Sequence, residues 1–222
     1  MFHNLTQNSE DWHTWRATGI GASDANAIAG YWNDYERLWV GKVSQRRGAP
    51  QKQFSGKALE WGHANEPAAR DLYTDLTGIR ATPVCCTHDD LKWVKASLDG
   101  WNPDLKLVVE IKCPYTTHRH QATVDSQAIP AYYYPQVQHQ LFASGGASVH
   151  FVSYDPRRSD HNNIVIVEVD RDEEYIDLLI DQEYRFWMAV LTETEISVDV
   201  VAHRTLHALY EQNHLNRRRH GH

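Results

Sequence analysis

The apolar positions of this chain recur with two alternating periods, and the short-period blocks predict a sheet. Leu107-Val108-Val109-Glu110-Ile111-Lys112 is a run of branched and apolar residues closed by Pro114, the pattern of a buried strand. Residues 93–98 form a second such run, and the turn formers Asn102-Pro103-Asp104 between the two predict a hairpin. Residues 84–87, joined to it by the acidic turn His88-Asp89-Asp90, together with 148–154 and 164–169, complete the predicted strands.

Helical spacing governs most of the rest. Residues 11–16 read as a helical turn ended by Gly19, and Ser23 as the N-cap of a short alanine-rich helix over 24–29. A helical pattern covers 35–43, and another covers 58–73 before Thr77-Gly78, with Leu72, Tyr73 and Leu76 as its core-facing stripe. Pro67 kinks or interrupts that helix and leaves Glu66 at the break. Residues 131–144 predict a helix that buries Tyr134, Val137 and Leu141 and aligns Tyr132, Gln136 and Gln140 on another face. A long helix over 172–191 turns Tyr175, Leu178, Leu179, Tyr184, Phe186 and Trp187 to the core. The polar stretch 115–127 reads as a loop or short helix over the strand end; its His118 and His120 read as metal ligands or, in a chain with fourteen histidines, more readily as neutral surface residues.

Composition adds bounds. A chain of 222 residues suffices for one well-cored domain with a small appendage. No apolar run is long enough to span a membrane, and the first residues lack the pattern of a signal peptide, so the expected location is the cytoplasm. Three cysteines, two of them adjacent, make neither a disulfide framework nor a four-ligand cluster. The net charge of −7 does not decide the partner, because nucleic acid responds to local patches.

Two charges inside the 107–112 strand are the first sign of chemistry. Glu110 and Lys112 are two apart and share a face, and buried charges are costly unless paired or bound to metal. The hairpin brings Asp99, in Ser97-Leu98-Asp99-Gly100, beside Glu110. Two carboxylates and a lysine are what metal-assisted phosphodiester hydrolysis requires; the alternative is a structural Glu–Lys pair on an exposed strand face. Glycines, a helix N-terminus at Ser23 and nearby Arg16 suggest a phosphate seat, or a plain cap with a surface arginine. The basic stretch 42–57, with Lys42, Arg46, Arg47 and Lys52, reads as a mobile loop that grips a phosphate backbone or is merely solvated.

Taken together the motifs resemble one family. Trp-x(2)-Arg followed by Gly-Ile-Gly-Ala-Ser-Asp, then Trp-Gly-x(3)-Glu-Pro, Ser-Leu-Asp-Gly, Glu-Ile-Lys-Cys-Pro, Tyr-x-Gln-Val-Gln and Tyr-Asp-Pro-Arg occur in unbroken order over residues 9–190. This series resembles the phage lambda exonuclease and YqaJ-type viral recombinase group of the PD-(D/E)xK nucleases. The resemblance implies an α/β fold with a restriction-endonuclease-like core, a central mixed sheet flanked by helices. It implies one nuclease domain over 1–200, followed by a C-terminal helix and basic tail over 201–222.

The implied activity is that of an alkaline-type exodeoxyribonuclease with a two-metal mechanism. It would degrade one strand of linear double-stranded DNA 5′→3′ and leave a 3′ overhang for a single-strand annealing protein. A homotrimeric ring enclosing the DNA, and Mg²⁺ (replaceable by Mn²⁺) as two ions per site, belong to the same implication. Asp99, Glu110 and the carbonyl of Ile111 are then metal ligands, with Glu66 holding the second ion. Lys112 positions the attacking water, Gln136 supports it, and Arg16, Ser23 and Ser97 bind the terminal 5′-phosphate. The family's eponymous proline is replaced by Leu98, which leaves the carboxylate in place. An endonuclease of the same fold, or an inactive DNA-binding protein, are the alternatives; the presence of all four of Glu66, Asp99, Glu110 and Lys112 speaks against the second.

Overall fold

A computed structural model describes residues 1–31, 34–49, 56–159 and 161–220, with side chains described as far as residue 213. The chain begins with β1 (Phe2–His3), α1 (Glu10–Ala17), β2 (Ile20–Gly21), α2 (Ala22–Ile28), α3 (Tyr35–Arg46) and α4 (Lys57–Thr77). The strands β3 (Thr82–Thr87), β4 (Val94–Asn102) and β5 (Leu107–Lys112) follow, then α5 (Thr117–Ser126), a 3₁₀ turn over Ala131–Tyr133 and α6 (Tyr134–Ser144). The remainder is β6 (Ser148–Tyr154), β7 (Ile164–Asp170), α7 (Glu173–Thr192) and α8 (Val200–His220).

The sheet runs β1-β3-β4-β5-β6-β7, with β2 added beside β4. It is mixed, as expected: β3, β4 and β5 are antiparallel, β5 and β6 parallel, and β6 and β7 antiparallel. Parallel neighbours need a long crossover, and α5 and α6 supply it. Alternation along β5 sorts the core into two faces. Val108 joins Leu98, Val137, Leu141, Phe151 and Leu179 on one side, while Val109 and Ile111 join Ala69, Tyr73 and Val152 on the other.

One irregularity matters for the site. Leu98 of β4 opposes Val84 of β3, and Trp101 opposes Thr82, so three steps along β4 face two along β3. The extra residue is a bulge across Asp99 and Gly100, and bulges bend a strand and re-aim its side chains. Gly100 belongs there because a Cβ would meet the Cβ of Ala81 at 2.8 Å. The β4–β5 ladder accordingly ends at Gly100 opposite Val109.

Several expectations are corrected. The second helix is capped by Gly21, not Ser23, because Asp24 accepts a hydrogen bond from the Gly21 amide at 2.9 Å and closes the first turn two residues earlier. Pro67 neither ends nor interrupts α4, which continues from Lys57 to Thr77; Glu66 therefore projects from an unbroken helix. Leu76 is 60% exposed, the apolar cluster of that face taking Ala69, Leu72, Tyr73 and Ile79 instead. The helix expected from residue 131 becomes α-helical only at Tyr134, consistent with proline at 135 being tolerated in a first turn. Its second face is also buried, since Gln136, Gln138 and Gln140 all lie inside.

Tyr184 of α7 is half exposed, edging toward Trp93 rather than the core. His120 is fully buried, held by the Ser153 hydroxyl and the Asn162 carbonyl. Lys42 belongs to α3 and is buried, so the basic stretch is not one loop; Lys52 lies outside the described residues. Leu98 has no exposed surface and sits in the larger core beside the bulge. Leu98→Ala should cost about 2–5 kcal/mol, measurable as a lowered urea midpoint with an unchanged denaturant slope.

Candidate active site

β5 delivers a carboxylate to the interior and α6 receives it. Glu110 is only 2% exposed. Its Oε1 accepts from Gln136 Nε2 at 2.6 Å and from the Lys112 ammonium at 2.5 Å, and its Oε2 accepts from Gln140 Nε2 at 2.6 Å. The glutamines are four apart, one turn of helix, so α6 presents two amide donors to one carboxylate. Lys112 also lies 4.9 Å from the ring centre of Tyr133. Burial would lower its pKa, but Glu110, Tyr133 and Asp99 raise it, and the amine stays protonated.

The bulge turns Asp99 toward the same strand end. Its Oδ2 accepts from the Ile111 amide at 2.8 Å, a side chain standing where the ladder has lapsed. Arg70 of α4 donates from Nε to the Asp99 carbonyl at 3.2 Å and grips Glu66 through Nη2. Three elements therefore meet: β4 with Asp99, β5 with Glu110 and Lys112, and α4 with Glu66. Burial first, then the charges of Glu110 and Glu66, push the Asp99 carboxyl well above its usual range, against Lys112 and the Ile111 amide.

Among the described residues no three His, Cys, Asp or Glu side chains are gathered closely enough to hold a metal ion on their own. Mg²⁺ does not require that, since it usually keeps several waters and takes one or two carboxylates with substrate phosphate oxygens. The donors are hard oxygens, and three carboxylates, Glu66, Asp99 and Glu110, face two cations, Arg70 and Lys112, an excess of negative charge that a divalent cation would relieve. The residues present fit such an ion.

Arg16 and Ser23 meet beside α1, and Ser97 is tied to the same helix through Trp12. Arg16 Nη2 donates to the Ser23 hydroxyl at 2.8 Å and to Asp24 at 3.1 Å. Ser97 accepts from the indole of Trp12, four residues before Arg16 on the same helix, at 2.8 Å. A Cβ on Gly21 would fall 1.1 Å from Arg16 Nη1, so only glycine lets the guanidinium lie there. Asp24 is bound on its other oxygen by Lys42 at 2.8 Å, with the Lys42 side chain 5% exposed. Burial would raise the Asp24 pKa, yet Arg16 and Lys42 hold it down at about 2. Two cations against one anion leave an excess positive charge beside the Ser23 hydroxyl.

Sequence reasoning missed Asp24 and Lys42, Arg70, and the grip of Gln140 on Glu110. Asp24 stood in the quoted Gly-Ala-Ser-Asp motif, and Gln140 at i+4 from Gln136 was a readable signal. Arg70, at i+4 from Glu66, was another.

Residues 11–147 match the YqaJ-like viral recombinase domain. Of curated proteins, the uncharacterized protein YqaJ of Bacillus subtilis strain 168 is 28% identical over 191 residues, covering 82% of this chain and 58% of that protein. Protein D345L of African swine fever virus is 25% identical over 166 residues, covering 62% and 46%. The chain thus spans about half the length of these curated relatives. An alkaline exonuclease from Laribacter hongkongensis, 27% identical, superposes with a TM-score of 0.76 over 83% of this chain and 94% of that one. Its complex with dAMP superposes with a TM-score of 0.77. A phage-related exonuclease from Haemophilus somnus 129PT, 14% identical with a TM-score of 0.57, shares the fold. The core is therefore restriction-endonuclease-like.

Asp24→Asn leaves the Lys42 ammonium buried without a carboxylate and should cost about 3–5 kcal/mol near neutral pH. The depressed folded pKa makes this contribution complete above the ordinary value of 3.8 and lost as pH falls through about 2. The deficit of Asp24→Asn against the parent should therefore shrink over that acid range, read by urea unfolding at successive pH values.

Proposed function

The chain belongs to the YqaJ-like viral recombinase family, and from that premise we propose that it is a divalent-metal-dependent exodeoxyribonuclease. It resects one strand of linear double-stranded DNA 5′→3′ and leaves a 3′ overhang for recombination. The observation that most supports this is the meeting of Asp99, aimed by a bulge, with the buried Glu110 and its partner Lys112 at one strand end.

Asp99, Glu110 and the carbonyl of Ile111 would hold Mg²⁺ or Mn²⁺, and Glu66, kept beside Asp99 by Arg70, would hold a second ion. Ions held by these residues would supply polarisation of the scissile phosphate and activation of a water. Gln136 and Gln140 fix the direction of the Glu110 carboxylate, so it need not reorganise during the reaction. Lys112 orients the attacking water and, as a protonated amine, stabilises negative charge at the phosphate.

Arg16, Ser23 and Ser97 take the terminal 5′-phosphate, whose charge suits the uncompensated cation beside Asp24. A seat for a chain end makes the enzyme an exonuclease rather than an endonuclease. A homotrimeric ring around the duplex, and delivery of the overhang to a single-strand annealing protein in the cytoplasm of a bacterial host, complete the reading.

The test compares 5′-phosphorylated linear duplex, its 5′-hydroxyl counterpart and a covalently closed circle, each with Mg²⁺ and with EDTA. Mononucleotides should appear from the linear duplex with Mg²⁺ only, fastest from the phosphorylated end, with the circle intact; nicking of the circle would instead mark an endonuclease. Lys112→Ala should abolish cleavage, a loss of at least about a hundredfold, while duplex binding by anisotropy is retained. Arg16→Ala should erase the preference for phosphorylated ends while leaving slow cleavage of hydroxyl ends. Equal cleavage of both ends by the parent protein would remove the phosphate seat from the account.

A further inference from the structure

The last motif of the series, Tyr154-Asp155-Pro156-Arg157, has no part in the centre described above, yet its arginine joins three of the segments around it. Asp155 follows β6 directly and is fully buried. Arg157 donates to both of its oxygens, Nε to Oδ1 at 2.7 Å and Nη2 to Oδ2 at 2.8 Å. Burial would raise the Asp155 pKa, but the hydrogen bonds from Arg157 hold it below its ordinary value. The same guanidinium also reaches successive carbonyls, Nη1 to Tyr115 at 2.9 Å and Nη2 to Pro114 at 3.3 Å. Its carbon lies 4.7 Å from the ring centre of Trp61 on α4, and Trp61 in turn meets the edge of Tyr115 at 6.1 Å.

Two of these contacts fall, along the chain, near residues of the proposed centre. Pro114 is two residues past Lys112, and Trp61 lies five before Glu66 on one continuous helix. We propose that Arg157 is a positioning residue of this centre: it ties the segment after Lys112 to the buried Asp155 and to Trp61, and so fixes β5 against α4. The inference rests on the nuclease reading. A planar fork is needed, because one point charge cannot pair with Asp155, reach two carbonyls beyond it and cover an indole face. Small displacements of positioning groups cost rate rather than affinity.

Arg157→Lys is the informative variant, since it keeps a cation against the buried carboxylate and so preserves the fold. The measurements are kcat and KM on 5′-phosphorylated linear duplex with Mg²⁺, duplex binding without metal, urea unfolding, and amide hydrogen exchange of the metal-free protein. The expected result is a kcat lower by about tenfold to a hundredfold, with KM and metal-free binding unchanged. Exchange should quicken over residues 113–117 and not in β4 or β6. A parent-like kcat, or a lowered unfolding midpoint with unchanged exchange over 113–117, overturns the inference. If the parent cleaves nothing, the nuclease reading fails by itself, and the exchange comparison still decides whether Arg157 holds the segment.

Discussion

A carboxylate with almost no exposed surface, Glu110, is the constraint around which this fold is arranged. Leaving water costs an ionised carboxylate several kcal/mol unless its lone pairs are met. Here they are met by two amides from one helix and an ammonium from its own strand. That demand explains why α6, central to the crossover between β5 and β6, is buried on more than its apolar face. Three glutamines inside a helix would be expensive in an ordinary core; two of them answer Glu110, and Gln138 donates to the Asp170 carbonyl and accepts from the Asp172 amide.

The second carboxylate is brought in differently. A regular β4 would continue its ladder with β5 past Gly100; the bulge ends that pairing and substitutes the Asp99 side chain at the Ile111 amide. Strand irregularity and helix burial thus converge on one place, with Arg70 as the strut that draws α4 into register. The Arg16 group is a separate device on α1 and α2, built on a close approach only Gly21 permits. It has excess positive charge where the strand end has excess negative charge.

Much of this was readable from the residues. The strand over 107–112 was fixed by its branched apolar run and by Pro114, and the shared face of Glu110 and Lys112 followed from a period of two. The hairpin followed from Asn102-Pro103, and the order of motifs named the family that residues 11–147 match. The bulge was not legible, because it depends on register with β3, a partner set by long-range pairing. Pro67 misled because loss of one amide donor is tolerated inside a 21-residue helix packed on a sheet. Lys42 misled because a lysine beside arginines and a glycine-proline turn reads as surface, while its partner Asp24 lies eighteen residues away. Buried polar pairs are where periodicity fails, since a polar residue at a core position looks like a polar residue at the surface.

The central claim is that the strand end of Asp99 and Glu110 holds divalent metal. A crystal soaked in Mn²⁺ and measured for anomalous scattering addresses it directly. The account predicts a manganese peak in coordination distance of both carboxylates, lost in a crystal of Asp99→Asn. Strong manganese peaks elsewhere with none between these two groups, or carboxyl groups that face apart, would contradict it.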